Sequence, residues 1–369
     1  MPPPPAVKDS AARTRKDTLR LDNRPNHRHF QSVEAHLSGQ AVKPNIIIPY
    51  PAGEDGFAEH GDRAAYAMAY VRPETNNVLY ERAILSGLRA YGKIIYCANL
   101  PGSVFLRDAI LERHYSTQLA FARDPRGELS RYPEIRSRVE EHFSIRLDEA
   151  RVLGAFEALA ALGMSEKGLL ETIVKEPDYL GCWGQSFKRI DGAIVVNPNM
   201  PAIFKLHEPS ANVFSVIVQC RETSGAFFEG VNEAIFKALT SRAETPLIDG
   251  EKLDSLVWSE RIRRTYHLSM NHLMAMCDMA DFLYTGETTR LDVAETPLGK
   301  WLVEGGSVTA GRLRGLKSAR LARRKGAALV YLPTAGRGMS LDQVRELVAD
   351  LQPASAGDGQ GTAPAGLQG

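Results

Sequence analysis

The sequence predicts an α/β protein with a mainly parallel or mixed sheet flanked by helices, a helical insertion and disordered termini. Short apolar runs of strand length alternate with segments whose apolar residues recur at helical spacing. Clusters of Gly, Pro and Asn separate these segments. The composition, with 44% hydrophobic and 24% charged residues, is that of a protein that buries a core. Apolar strands set between helices are typical of a parallel sheet covered on both faces.

The first part of the predicted core spans residues 44–130. The apolar run at 45–50 predicts a strand, and the helical spacing of apolar residues at 80–91 predicts a helix. A glycine follows this helix and is suited to end it. A second buried strand is expected at 93–98, and residues 118–122 also have strand-like composition.

The next segment, 131–185, is helical by pattern and predicts an insertion. Residues 148–162 place apolar side chains on one helical face. Ser165 is suited to cap a further short helix at 169–174.

The second part of the predicted core spans residues 186–352 and mixes strands with long helices. Its predicted strands lie at 193–196, 202–206, 213–220 and 327–332, and its predicted helices at 224–239, 253–284, 298–304, 311–325 and 340–351.

The two ends of the chain lack a periodic apolar pattern. Residues 1–43 form a proline-rich basic arm, and residues 353–369 consist mainly of small and polar residues. Such segments cannot bury enough apolar surface to offset the entropy of ordering, so both ends are expected to be disordered.

Charge and composition argue against several classes of protein. The chain has 45 Lys and Arg against 44 Asp and Glu, so its formal charge of +1 provides no general attraction to nucleic acid. No apolar stretch approaches the length of a membrane span, and the N-terminus lacks the apolar core of a secretory signal. The four cysteines form no C-x-x-C pair, which argues against a zinc ribbon. We therefore expect a cytoplasmic protein without a membrane partner.

Loops after predicted strands are the expected ligand sites, because open α/β sheets bind ligands outside the carboxyl ends of their strands. The turn before the last helix has the strongest features. Gly336 and Gly338 would let the backbone approach a ligand, Arg337 would donate to it, and the N–H groups of the helix after Ser340 would face it. This pattern suits a phosphate or carboxylate. The same residues would also form a simple capping box.

Three loops of this type supply the predicted ligand-binding residues, which are Asn99, Gly102, Ser103, Asn197, Asn199, Thr334, Gly336, Arg337, Gly338 and Ser340.

A fourth loop, after the first strand, contains the densest group of acid–base residues. These predicted catalytic residues are Glu54, Asp55, His60 and Asp62. Carboxylate oxygens with one imidazole would suit Mg²⁺ or Mn²⁺. The alternative is a solvated loop, since no named metal motif is present.

The segment 266–279 is rich in His, Met and Cys. His267 and His272 would lie on different faces of a helix, whereas Met270 and Cys277 would share an apolar face that packs in the core. Asp278 and Asp281, three positions apart, would form an acidic face either toward a cleft or, as we expect, toward solvent. The apolar face of the long helix would also suit a homo-oligomer interface.

A run of basic residues at 312–325 contains no acid. On a helix it would present positive charge to phosphates, or its charges would be balanced by acidic neighbours. It contains no aromatic residue, which argues against a dedicated nucleic-acid reader.

Two functional classes follow from these patterns. The first is an enzyme acting on an anionic, phosphorylated small molecule held by Arg337 and the turn around it. The second is a non-catalytic binding or scaffold protein that engages nucleic acid or an acidic partner through residues 312–325.

Overall fold

The structure is a computed structural model that describes residues 43–51, 64–71, 78–208, 211–220, 224–240, 265–324 and 328–354, without the side chains of Val78, Leu79 and Lys205. The predicted disordered arm at 1–43 and tail at 353–369 lie outside the described residues, apart from their inner ends.

The described residues contain strands and helices throughout. In chain order the strands are β1 (Asn45–Ile48), β2 (Ala65–Val71), β3 (Lys93–Pro101), β4 (Val152–Gly154), β5 (Tyr179–Cys182), β6 (Gln185–Ile190), β7 (Ala193–Val196), β8 (Asn212–Cys220), β9 (Tyr266–Leu268), β10 (Leu321–Arg324), β11 (Leu329–Tyr331) and β12 (Leu351–Pro353).

The α-helices are α1 (Val78–Arg89), α2 (Gly102–Arg107), α3 (Ile110–His114), α4 (Ser116–Arg123), α5 (Pro125–Arg131), α6 (Pro133–Phe143), α7 (Ala155–Ala161), α8 (Glu166–Glu171), α9 (Met200–Ile203), α10 (Ala226–Thr240), α11 (His272–Phe282), α12 (Pro297–Glu304), α13 (Ala310–Ala319), α14 (Leu332–Ala335) and α15 (Leu341–Asp350). Short 3₁₀ turns occur at Glu176–Asp178, Phe204–His207 and Val293–Glu295.

A five-stranded sheet in the order β1-β3-β8-β2-β9 forms the largest layer, and all its strand pairs are antiparallel. The pairing of β2 with β8 runs from Ala65 opposite Cys220 to Val71 opposite Phe214. Every residue of β2 is buried, because helices cover both faces of this sheet.

Helices α1 and α10 pack on one face of the five-stranded sheet. Their apolar side chains, including Ile84 and Ile235, join a core cluster with β2 and β8. At Gly87 the two helices approach closely, since a Cβ there would lie 2.8 Å from the backbone of Ile235. The opposite face packs against α2, α3 and α11, through residues such as Phe105 and Phe282.

A four-stranded sheet in the order β4-β7-β6-β5 forms a second layer. The β4–β7 pair is parallel, and the other two pairs are antiparallel. A three-stranded antiparallel sheet in the order β11-β10-β12 forms a third layer. Helices α11, α12, α13 and α15 share an apolar core with this third sheet.

The α/β class is confirmed in its broad form, and of the predicted alternatives, a mainly parallel or a mixed sheet, the described strands form a mixed sheet in one place and no mainly parallel one. The sheets are mostly antiparallel, and only the four-stranded one is mixed. Continuous apolar strands report that both faces of a sheet are buried. They do not report strand direction, and an antiparallel sheet covered by helices on both faces produces the same pattern.

Three predicted elements differ from the structure. Residues 118–122 lie in helix α4, and residues 202–206 lie in α9 and the 3₁₀ turn after it. The predicted helix at 311–325 ends at Ala319, because Arg320 adopts a left-handed conformation with φ of 55° and strand β10 follows. Short apolar runs fit a buried helix and a buried strand equally well, which explains the first two errors.

The predicted long helix at 253–284 also differs, since its described part contains strand β9 and helix α11. The predicted helical insertion at 131–185 contains helices and also strands β4 and β5.

Several local predictions are confirmed. The strand at 93–98, the helix at 80–91 and the helix at 224–239 all correspond to observed elements. Ser165 accepts the predicted capping hydrogen bond from the N–H of Gly168, and Ser340 forms a capping box with Gln343. Among the described helices, none has the length and apolar composition needed to cross a membrane.

Candidate functional site

A group of charged and polar side chains is buried where α3, β9, α11 and α13 meet. Its members, which we call the histidine–aspartate cluster, are Arg113, His114, His267, Ser269, Asp278, Asp281, Lys317 and Arg320. Buried charges are rare unless they are paired, and groups of buried charges are frequent at functional sites. The cluster is therefore the candidate functional site.

Helix α11 supplies the two carboxylates. Asp278 and Asp281 are three residues apart, which places them on one face of the helix, and both are fully buried. Asn271 begins this helix by accepting a hydrogen bond from the N–H of Met274. The prediction that these aspartates face solvent is therefore wrong.

Asp281 lies at the centre of the cationic part of the cluster. Its Oδ2 is 2.9 Å from a terminal nitrogen of Arg320 and 3.1 Å from Nδ1 of His114. Lys317 donates to its other oxygen, and Nε of Arg113 lies 3.7 Å from that oxygen. Side chains from two distant segments of the chain, 113–114 and 317–320, thus converge on one carboxylate.

Asp278 has a different set of partners. Its Oδ2 lies 2.8 Å from Nε2 of His267 and accepts a hydrogen bond of 2.6 Å from the hydroxyl of Ser269. Its Oδ1 is buried, has no hydrogen-bond partner among the described residues, and lies 3.8 Å from Nδ1 of His114.

The surroundings set the charge of each group. Burial alone would raise the pKa of Asp278, but His267, His114 and Ser269 hold this pKa below its usual value. Burial would likewise raise the pKa of Asp281, whereas His114, Lys317 and Arg320 lower it well below the usual value. Burial lowers the pKa of His114, in spite of both carboxylates. The cluster therefore combines two ionised carboxylates with a neutral His114 at pH 7.

Ser269 is not arranged as an activated nucleophile. In a Ser–His–Asp triad the histidine lies between the serine and the aspartate and takes the proton of the serine. Here Ser269 donates directly to Asp278, on the same oxygen that faces His267. This order holds the carboxylate in place.

Aromatic rings enclose the two histidines. Tyr70 stacks on His267 with ring centroids 4.6 Å apart, and its hydroxyl lies 3.1 Å from that of Tyr115. Phe282 packs edge-on to His114 with centroids 4.9 Å apart. These rings shield the cluster from water, which strengthens its electrostatic interactions.

An open cleft of about 400 Å³ lies between the second and third sheets. Its walls are formed by Arg138, Cys182, Trp183, Val330, Tyr331, Thr334 and Ala335. The volume is in the range of small-molecule sites.

The β5–β6 turn forms one wall of the cleft. Trp183 and Gly184 have φ values of 45° and 74°, as the tight turn of a hairpin requires. The indole N–H of Trp183 donates to the carbonyl of Leu329 at 2.7 Å. A Cβ at Gly184 would lie 2.3 Å from the ring of Tyr331, so only glycine lets the turn dock on that ring.

Tyr331 lies in β11 opposite Leu321, the residue that follows Arg320 of the histidine–aspartate cluster. Its ring lines the cleft, and its hydroxyl accepts a hydrogen bond from the amide of Gln118. Burial raises the pKa of Tyr331 to about 12, although the charge of Arg320 opposes the change. This tyrosine therefore stays protonated at pH 7 and lies within the electrostatic reach of the cluster.

The structure places the predicted site residues in separate regions. The predicted catalytic residues Glu54, Asp55, His60 and Asp62 lie outside the described residues, so the structure contains no information on their proposed Mg²⁺ or Mn²⁺ site. The other three predicted segments follow strands β3, β7 and β11, which belong to three different sheets. They therefore do not lie at one common sheet edge.

The loop predicted after the strand at 93–98 is absent, because Asn99 lies in β3 and Gly102 and Ser103 lie in the first turn of α2. The side-chain oxygen of Asn99 accepts a hydrogen bond from Asn212 at 3.1 Å. Gly102 packs against backbone, since a Cβ there would lie 2.0 Å from the carbonyl oxygen of Glu208. Ser103 lies inside α2 and does not cap it; Pro101 occupies the capping position.

The loop after β7 contains Asn197 and Asn199. Asn197 has a φ of 53° and is buried, where its side chain bonds to Ser186, Gln118 and Gln185. These bonds join the second sheet to α4, which is a structural task. Asn199 is exposed at the start of α9.

The segment after β11 contains the remaining predicted residues. Thr334 lies in helix α14 and lines the cleft. Gly336 is buried against Leu273 and Val344, while Arg337 and Gly338 are exposed. Ser340 caps α15 in the capping box described above.

The basic run at 312–325 is largely neutralised by its surroundings. Arg312 donates to backbone carbonyls of residues 348–351, and Arg314 pairs with Asp292 at 3.0 Å. Lys317 and Arg320 belong to the cluster, and Arg323 pairs with Glu134. Among the described residues, these five basic side chains are engaged within the fold.

Sequence reasoning missed the histidine–aspartate cluster. The spacing of Asp278 and Asp281 was visible, and their position among apolar residues of a fully buried helix was the available signal. Their partners come from distant segments, so no local pattern connects them.

No family model matches the sequence, and comparisons with curated proteins and with solved structures find no match.

Proposed function

We propose that this protein is an enzyme acting on an anionic small molecule, and that the ligand binds in the cleft between the β5–β6 turn and residues 330–335. The observation that carries this proposal is Tyr331, which lines the cleft and lies in β11 opposite Leu321, the residue that follows Arg320 of the histidine–aspartate cluster. A molecule bound at Tyr331 would therefore be within the electrostatic reach of these preorganised charges.

The cleft offers groups that suit an anion with a planar part. Trp183 and Tyr331 supply aromatic surface, Thr334 supplies a hydroxyl, and Arg138 supplies a guanidinium group. Arg138 pairs with Glu141 at 2.7 Å on the protein surface. A surface pair of this kind contributes about 1 kcal/mol or less, so a phosphate or carboxylate can replace Glu141 as the partner.

The turn at 336–340 is the second place where the anion is held in this proposal. Arg337 is exposed in this turn. Thr334 joins this turn to the cleft, because both follow β11 in the same short segment.

A thermal-shift screen with phosphate, nucleotides and sugar phosphates tests the proposal. A ligand that binds only the native state raises the Tm. At a concentration 100 times its Kd it adds about 2.7 kcal/mol to the free energy of unfolding. We expect Arg138→Ala to weaken binding by roughly tenfold or more, which corresponds to about 1.4 kcal/mol. Arg337→Ala in the same screen distinguishes the two places. Weaker binding in Arg337→Ala would assign the anion to the turn, and weaker binding in Arg138→Ala would assign it to the cleft.

Arg146→Ala is the matched control. Arg146 also pairs with a glutamate three residues away on the surface, but it does not line the cleft. The proposal fails if no anion shifts the wild-type protein, or if Arg138→Ala and Arg146→Ala bind the ligand as the wild type does.

The second functional class, a scaffold that binds nucleic acid through residues 312–325, has less support. The engaged basic side chains would have to break contacts within the fold before they met phosphates. A DNA duplex in the same screen tests it, since binding to a phosphate backbone weakens steeply as salt is raised.

A further inference from the structure

We propose that His114, His267 and Asp278 form a binding site for one divalent transition-metal ion of the Zn²⁺ type. One ring nitrogen from each histidine and one carboxylate oxygen of Asp278 all lie within 4.8 Å of one another. The inference does not depend on the ligand proposed for the cleft.

The separations between donor atoms are close to those of a metal site. Oδ2 of Asp278 is 2.8 Å from Nε2 of His267, and Oδ1 is 3.8 Å from Nδ1 of His114. Metal–ligand bonds of about 2.0–2.2 Å in a tetrahedral site place ligand atoms roughly 3.3 Å apart. The donor atoms lie within 4.8 Å of one another, so closing the site would require them to approach by up to about 1.5 Å.

The oxygen Oδ1 of Asp278 provides the second, independent observation. It is buried, and it has no hydrogen-bond partner among the described residues. A buried carboxylate oxygen without a partner is costly, because the lost hydration is not replaced. A metal ion at this oxygen would remove that cost.

The donor types select the metal. Two imidazoles and one carboxylate, with a fourth position left for water, are the ligand set of catalytic zinc sites. Mg²⁺ and Ca²⁺ prefer oxygen ligands and retain several waters, so they do not suit a site with two nitrogen donors.

The cations of the cluster lie on the other aspartate. Arg113, Lys317 and Arg320 all contact Asp281, which leaves the charge of Asp278 available to a metal ion. Asp281 in turn lies 3.1 Å from Nδ1 of His114, the same nitrogen that faces Oδ1 of Asp278, so a metal ion on Nδ1 would replace the contact of that nitrogen with Asp281.

Binding requires a proton to leave the site. The contact between His267 and Asp278 contains a proton between nitrogen and oxygen. A metal ion on Nε2 of His267 needs the lone pair of that nitrogen, so the proton is released to solvent or moves to Nδ1. Nδ1 of His114 faces the ionised carboxylate of Asp281, so its proton must likewise move to Nε2 of His114 or to solvent before Nδ1 can bind the metal.

The test uses the full-length protein, stripped with a chelator and titrated with ZnCl₂ in a calorimeter. We expect one equivalent of Zn²⁺ to bind and the Tm to rise. His267→Gln and Asp278→Asn should each weaken Zn²⁺ binding by roughly tenfold or more. MgCl₂ should not compete.

His207→Gln is the matched control. His207 is also a partly buried histidine that faces a carboxylate, at 3.7 Å from Glu112, and it lies outside the cluster. This variant should bind Zn²⁺ as the wild type does. Circular dichroism checks that each variant is folded.

Co²⁺ provides a measurement on the wild type that does not depend on variants that fold. Tetrahedral Co²⁺ absorbs strongly in the visible range, so loading the stripped protein should produce this band. The proposal is overturned if the folded wild type binds no Zn²⁺ and gives no tetrahedral Co²⁺ band. It is also overturned if folded His267→Gln binds Zn²⁺ like the wild type.

Discussion

Asp281 is fully buried. Its carboxylate contacts His114 of α3, Lys317 of α13 and Arg320, which follows α13. Such a carboxylate stabilises the fold only as long as its cationic partners remain paired. Without the carboxylate of Asp281, the buried charges of Lys317 and Arg320 would have no counter-charge, and this is why Asp281 matters for stability.

Replacing Asp281 with Asn should therefore be strongly destabilising. The change leaves Lys317 and Arg320 in the interior without a counter-charge, and we expect a loss of about 3–5 kcal/mol in the free energy of unfolding. Urea denaturation measures this loss. As the control, Asp148→Asn removes an exposed partner of Arg136 and should cost less than about 1 kcal/mol. Equal losses in the two variants would show that the cluster is not an important source of stability.

Glu81 provides a second prediction for a single residue. It lies on α1 and is only 5% exposed, and burial raises its pKa to about 7 from an ordinary value of 4.5. The folded state therefore holds this proton to a higher pH than the unfolded state does. The free energy of unfolding should fall as the pH rises from about 4.5 to 7, by about 3 kcal/mol from this group.

Stability curves at several pH values test this prediction. Glu81→Gln should remove that part of the pH dependence and leave a more stable protein at pH 8 than the wild type. Glu157→Gln, at an exposed position on α7, should keep the wild-type dependence. If Glu81→Gln also keeps the wild-type pH dependence of the free energy of unfolding, the carboxyl group of Glu81 does not cause that dependence.

Single residues were the least predictable from the sequence. Ser165 and Ser340 were identified correctly, because a cap depends on residues three positions away. Asp278 and Asp281 were read as surface residues, because their partners lie far away in the chain. Local patterns contain the first kind of information and not the second.

At the scale of elements, the β5–β6 hairpin depends on one glycine. Gly184 has a φ of 74°, and its Cα faces the ring of Tyr331 at close range. Gly192 has a nearly equal φ of 75°, but nothing lies within 4 Å of a Cβ placed there. The two glycines thus share a backbone conformation and differ in their surroundings.

This difference allows a matched comparison. Gly192→Ala should cost about 1–2 kcal/mol for the left-handed backbone alone. Gly184→Ala should cost at least about 1 kcal/mol more, because the new methyl group collides with the ring and forces the turn away from β11. Chemical denaturation measures both. Equal costs would indicate that the turn does not need its close contact with Tyr331.

Elements with long periodic patterns were predicted well, as α1 and α10 illustrate. Short elements were not. Residues 118–122 of helix α4 are predicted as a strand from the sequence, because a short segment with four apolar residues fits either structure. The break after Ala319 was also missed, since a left-handed conformation at an arginine has no signal in the sequence.

At the scale of the whole molecule, the sequence indicated an α/β protein with buried strands. It did not indicate which strands pair. In the five-stranded sheet β3 and β2 both pair with β8, more than 100 residues further along the chain. Pairing over such distances is decided by the packing of helices against the sheet, which no local pattern describes. The loops proposed as one ligand site were separated for the same reason.

The net charge predicted the surroundings of the basic run at 312–325 better than the apolar pattern predicted strand pairing. A formal charge of +1 with a concentrated basic run left two possibilities, a positive surface or internal neutralisation. The described part of the run lies mostly within the fold, next to acids and carbonyls supplied by other segments.

The histidine–aspartate cluster also has a consequence for the order of folding. His114 and Asp281 are 167 residues apart in the chain. Closing so long a loop is entropically unfavourable until other contacts have brought its ends together. Each charged group also keeps its hydration until the surrounding apolar layers have formed. The cluster should therefore assemble late, so that its appearance marks the moment at which the helices on the large sheet and the third sheet have joined.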